Sequence, residues 1–149
     1  MFPNALASEC LAVLATYDPV SQAAATVTTG WVPATKFAEI LAVLQTGVMG
    51  ASGTIDAKLQ QAQDSGGTGA KDVTSKAITQ VVKASGDNKQ VMINVRPEQL
   101  DVNNGFGFVR LSITVGTAAS LLSAILLGVW PRQGTAADQN QAGVVQTVQ

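Results

Sequence analysis

The best candidate for chemistry in this chain is the run Ser65-Gly66-Gly67-Thr68-Gly69-Ala70-Lys71. A glycine-rich loop ending in lysine can turn backbone N–H groups and an ammonium toward a phosphate. That cradle needs Gly-Lys-Ser/Thr in succession at the start of a helix inside a parallel α/β unit. Here Ala70 separates Gly69 from Lys71 and Asp72 follows, so the run reads as a flexible surface loop between strands. There is no histidine, which removes the commonest general base, the usual metal ligand and every Ser-His-Asp or Cys-His arrangement. The single cysteine, Cys10, rules out an intrachain disulfide and, without histidine, a structural zinc site. In its apolar setting, Glu9-Cys10-Leu11-Ala12-Val13-Leu14, it reads as a small buried hydrophobe. Asp18, Glu39, Asp56, Asp64, Asp72, Asp87, Glu98 and Asp101 stand mostly isolated and read as turn and cap residues. Only Trp31, Trp130, Tyr17 and four phenylalanines could stack on a sugar. The expectation is a protein without catalytic residues, cofactor or metal: not an enzyme.

The elements around these residues are strands. Phe106 to Gly116 alternates with period two, which puts Val109, Leu111, Ile113 and Val115 on one buried face. Gln90 to Arg96 repeats the pattern with Val91, Ile93 and Val95 inward, and Thr54 to Gln63 does so with Ile55, Ala57 and Leu59. Thr26 to Val32 has strand composition. Pro97 to Asp101 reads as one helical turn, and Asn103-Asn104-Gly105 as a tight reversal. Residues 37–46 and 72–84 fit a helix or a strand; the apolar run Phe37 to Leu44 would suit a strand buried on both faces, and strand is the choice for both. Ala118 to Trp130 is the most apolar run; broken by Ser120, Ser123 and Gly128 and far short of the ~20 residues of a membrane helix, it reads as a buried strand. Seven or so short strands point to an all-β fold, an antiparallel sandwich.

The ends read differently. In residues 1–22, Leu6, Cys10, Val13 and Leu14 have the spacing of a short helix, which suggests an N-terminal arm or an end-cap before a domain at 23–130. Residues 131–149, rich in Gln, Ala, Gly and Thr, read as a C-terminal tail that is disordered or lies extended on a partner. Apolar groups left outside the core, Phe2, Leu6 and Leu14 at one end and Val144, Val145 and Val148 at the other, together with Trp31 and Trp130, are the expected interface residues. No basic region precedes the first apolar residues and Glu9 interrupts them, so no secretory leader is expected.

Charge is scarce. Charged residues make up 13% of the chain, against roughly 25% in an ordinary soluble domain. With 9 basic and 10 acidic residues scattered along the chain, no nucleic-acid footprint forms. A surface this poor in charge suggests cover by other protein, and a homo-oligomer, dimer first and trimer second, is expected.

The series Thr28-Thr29-Gly30-Trp31-Val32, Thr54 to Ala62, Gly67 to Lys71, Lys76 to Gln80 and Glu98 to Phe106 resembles the capsid cement (decoration) proteins of tailed bacteriophages, of the siphovirus and Bordetella-phage type. The resemblance covers residues 26–116. It implies a jelly-roll-like sandwich on the outer surface of a phage head in the virion, bridging subunits of the major capsid protein and stabilising the shell, with no nucleic-acid or membrane partner. It carries over no catalytic residue. The competing expectations are another β-rich virion component, a tail-tube or head-tail connector protein, and a carbohydrate-binding module.

Overall fold

The computed structural model describes residues 4–148, so Phe2 lies outside the described residues. Among the described residues ten strands form: β1 (Leu11–Gln22), β2 (Ala25–Thr28), β3 (Val32–Pro33), β4 (Phe37–Met49), β5 (Thr54–Ala62), β6 (Lys71–Ala77), β7 (Val81–Val82), β8 (Gln90–Val95), β9 (Phe108–Gly116) and β10 (Ser120–Pro131). One sheet runs β1-β10-β4-β8 and the other β2-β9-β5-β6, with the short β3 and β7 added on β9 and β5. Every pairing is antiparallel.

Setting aside the two-residue strands, the pairings β1·β10, β2·β9, β4·β8 and β5·β6 are nested, first strand with last and second with second-last. One long hairpin rolled into two layers is the jelly-roll arrangement. The core between the layers holds Phe37, Ile40, Leu44, Ile55, Leu59, Val95, Leu111, Ile113 and Leu126, all at 2% exposure or less. Val109, Leu111, Ile113 and Val115 are buried together, as the alternation requires, and so are Ile55, Ala57 and Leu59.

Several expectations need correction. Residues 11–22 are not an arm: they form β1, paired with β10 from Leu11↔Val129 to Gln22↔Ser120, and only Ala7–Cys10 makes a helical turn. Of the residues read as one helix face, Leu6 and Cys10 lie outside β1, while Val13 and Leu14 stand at a register shift between Val13 and Ala15 that lets Ala12 and Ala15, three apart, both point inward. Cys10 is partly exposed rather than buried. Thr26 to Val32 is broken at residues 29–31 between β2 and β3, and residues 72–84 hold β6, β7 and a helical turn at Lys83–Gly86. The tail folds back: Ala136 is fully buried, its amide donates to the Glu9 carbonyl, and the Gln141 amide donates to the Val13 carbonyl at 2.8 Å. Residues 37–46 are strand, and Gly105 closes its reversal with φ 80.

Candidate assembly surface

The strand register fixes what each face of the sandwich shows. In the sheet β1-β10-β4-β8 the outward rows are Leu11, Val129 and Glu39; Val13, Leu127, Leu41 and Asn94; Thr16, Ile125, Val43 and Met92; Ser123, Gln45 and Gln90; and Ser21 with Leu121. Nine of these are aliphatic or methionine; the charged residues on this face are Glu39, at one end, and Asp18, which accepts from the Thr16 hydroxyl at 3.1 Å and lines a hollow with Val43, Gln45, Ser123 and Ile125. From Leu121 to Val129 the strand rises about 27 Å, and the outer strand axes lie about 14 Å apart, so the face is on the order of 400 Å², the scale at which an exposed apolar patch marks an interaction site. Leu121 and Met92 are 45% and 66% exposed. Toward one end the face is hollowed, by a depression of about 540 Å³ lined by residues that include Pro19, Gln45, Gly47, Gln90, Leu121 and Ser123.

The opposite face is polar and occupied with itself. Its rows are Thr26, Thr114 and Asp56; Thr28, Ser112 and Lys58; and Arg110, Gln60 and Asp72. Lys58 Nζ donates to Asp72 Oδ2 at 2.7 Å, Gln60 Nε2 to Asp72 Oδ1 at 3.1 Å, and Arg110 Nε to Gln60 Oε1 at 2.9 Å. The Arg110 guanidinium lies 4.4 Å from the centre of the Trp31 ring. Gly67, at φ 87, packs against the same tryptophan: a Cβ there would come within 2.6 Å of Trp31 Nε1.

Neither the glycine-rich loop nor the acids are set up for chemistry. Asp64 Oδ1 accepts from the amides of Gly66 and Thr68, at 2.9 and 3.1 Å, and Asp64 Oδ2 from the Thr68 hydroxyl at 2.6 Å. A carboxylate from the chain itself thus occupies the amides a phosphate would need. Lys71 pairs with Asp101 and lies 4.3 Å from the Phe106 ring centre. Five carboxyls are held below their ordinary range: Asp64 by the Thr68 hydroxyl, Asp72 by Lys58, Asp87 by Lys83, Glu98 by its own backbone N–H and then Arg132, and Asp101 by Lys71 and then Asn104. A general acid needs the opposite shift. Asp18, Glu39, Asp56 and Asp72 lie in strands rather than turns. Among the described residues no group of three His, Cys, Asp or Glu is placed to hold a metal, and no helix is long and apolar enough to cross a membrane.

The expected interface residues do not form one surface. Trp130, 48% exposed, stands with Ala5, Glu9, Cys10, Pro131, Gly134 and Thr135 around a cavity of about 290 Å³, and Leu6 is exposed next to Ala5. Leu14 packs against the core from the bulge in β1, and Trp31 lies beneath Arg110. Val144 is partly buried, while Val145 and Val148 are 94% and 82% exposed. The larger surface, centred on Leu41, Val43, Ile125 and Leu127, was missed. Its signal was present: Phe37 to Leu44 and Ala118 to Trp130 are apolar at both strand parities, and in a sandwich of two layers a strand has only one inner face.

No protein-family model matches the chain, and no curated protein matches it. Solved structures with a similar strand arrangement include a chain of the Cowpea Mosaic Virus empty virus-like particle, 12% identical over 89% of this chain and 86% of that one, TM-score 0.47. Another is from the infectious bursal disease virus Gx strain, 12% identical over 85% of this chain and 34% of that one, TM-score 0.49. A third is the Clostridium thermocellum xylanase 10B CBM22-1–GH10 structure complexed with xylohexaose, 13% identical over 71% of this chain and 20% of that one, TM-score 0.43. These neighbours include both viral particles and a carbohydrate-binding module, and at this level of similarity no function is read from them.

Proposed function

We propose that this chain is a non-catalytic structural protein of a virion, a capsid cement or decoration protein that sits on the outer surface of a phage head and bridges neighbouring major capsid protein subunits. The observation that carries the reading is the asymmetry of the sandwich. One face is closed by its own hydrogen bonds and ion pairs, and the other is a largely aliphatic sheet surface whose charges are Glu39 and Asp18. Burying such a face on a neighbour contributes ~25 cal/mol per Å² of apolar area, so even part of it yields several kcal/mol before ordering costs. Repeated over a shell, a modest contact of this kind becomes effective through multivalency. The resemblance of residues 26–116 to cement proteins supplies the setting.

Quantitation of protein bands from purified virions tests the reading. A cement protein is present in numbers comparable to the major capsid protein. Few copies per particle would indicate a connector, and absence from the particle would overturn the virion role altogether.

A further inference from the structure

The sheet β1-β10-β4-β8 has two edges, and the chain treats them differently. Along β1 lies its own tail: the Val13 amide donates to Asn140 Oδ1 at 2.8 Å, and the Gln141 amide donates to the Val13 carbonyl at 2.8 Å. Along β8, among the described residues, no strand is paired on the side away from β4. The Thr46 amide donates to the Lys89 carbonyl, which sets the antiparallel alternation. With Gln45↔Gln90, Val43↔Met92 and Leu41↔Asn94 in register, the backbone N–H and C=O of Gln90, Met92 and Asn94 turn outward from the sheet. All three residues are exposed. Residues 90–95 contain no proline, charge or bulge to blunt the edge, and such an edge is a template for another strand.

Past Gln141 the tail carries a matching piece. Val144-Val145-Gln146-Thr147-Val148 has strand-forming residues at four of its five positions. Five residues span about 17 Å, as Gln90 to Asn94 do. The chain's own β8 is out of reach, because it lies about 14 Å across the sheet from β1, and seven residues beyond Gln141 extend at most about 24 Å, too little to cross and then run alongside it.

We propose that Val144–Val148 adds as a strand to the open β8 edge of a second copy of this chain. The tail is then the strand between β1 of one copy and β8 of the next. The contact is heterologous, head to tail, and links copies into rings or chains across a surface. The inference does not depend on the virion reading and stands or falls in solution.

Sedimentation velocity of the full chain, of a form lacking residues 142–149 and of Met92→Pro tests it. Proline at 92 removes an outward N–H and none of the bonds to β4, a place where an edge strand tolerates it. The full chain is expected to associate with rising concentration, and each altered form to stay monomeric with a strand circular-dichroism spectrum. An equal mixture of the two should form one-to-one complexes and nothing larger, since one supplies the edge and the other the tail. Should Met92→Pro not fold, Asn94→Pro takes its place in the same mixture. A full chain that is monomeric up to millimolar concentration, a truncated form that still associates, or a mixture that remains monomeric would overturn the proposal.

Discussion

The amide of Val13 donates a hydrogen bond to the side-chain oxygen of Asn140, at 2.8 Å and 127 residues apart in sequence. Val13 stands where β1 shifts register against β10, a point at which an edge strand loses its regular partners. Asn140 and Gln141 supply those partners, and Gln141 Nε2 adds a bond to the Thr16 hydroxyl at 3.4 Å. The tail is therefore anchored on its own domain as far as Gln141. Replacing Asn140 with Ala leaves the Val13 amide without its acceptor, and an expected loss of about 1 kcal/mol should appear as a lower urea midpoint at unchanged m-value. Amide exchange at Val13 should speed up with it.

Gly128 faces Phe37 across the strand pair β10–β4, and a Cβ there would come within 2.6 Å of the Phe37 ring. Phe37 is fully buried, so the ring has no free space to yield into. Gly128→Ala should cost about 1–3 kcal/mol through overpacking, and Leu126→Ala about 2–5 kcal/mol through the cavity it leaves. Thermal melting of the two variants checks both.

Each of the five carboxyls with a shifted pKa has its folded value below its unfolded one. The stability they contribute is complete above the unfolded carboxylate range, at about pH 5 and higher, and is lost as pH falls through about 4 and below. With no histidine in the chain, the melting temperature should be nearly flat between about pH 6 and 8 and decline below about pH 4.5. A melting series across that range measures it.

Asp64→Asn weakens the acceptor that gathers the Gly66 and Thr68 amides, and Gly67→Ala combines a strained φ of 87 with a clash on Trp31. Both should lower the melting temperature, and Gly67→Ala should also shift the tryptophan emission. Millimolar inorganic phosphate should leave the melting temperature of the unaltered protein unchanged, because the loop amides are already taken.

The strands with clean alternation, residues 54–62 and 108–116, were legible from their residues because each has one inner and one outer face. β1 was not: its bulges break the period of two that marks a strand, and its partner β10 lies about a hundred residues away. The tail was misread for a related reason, since what holds it is largely backbone hydrogen bonds and the side-chain amides of Asn140 and Gln141 rather than an apolar pattern. Of the surface, only the scarcity of charge was legible. Which apolar residues face outward depends on the number of layers, and Leu41, Val43, Ile125 and Leu127 look like core until the described residues are seen to form only two layers, with these four on an outer face.

That outer face is where attachment to the shell is proposed, and occupancy on shells assembled without the protein is the measurement that checks it. Ile125→Lys and Leu127→Lys place a charge at its middle, while Thr114→Lys does the same on the opposite, polar face. With all three forms folded by circular dichroism, the first two should lose at least tenfold in shell binding and Thr114→Lys should bind as the unaltered protein does. Full occupancy by Ile125→Lys and Leu127→Lys would contradict attachment through this face.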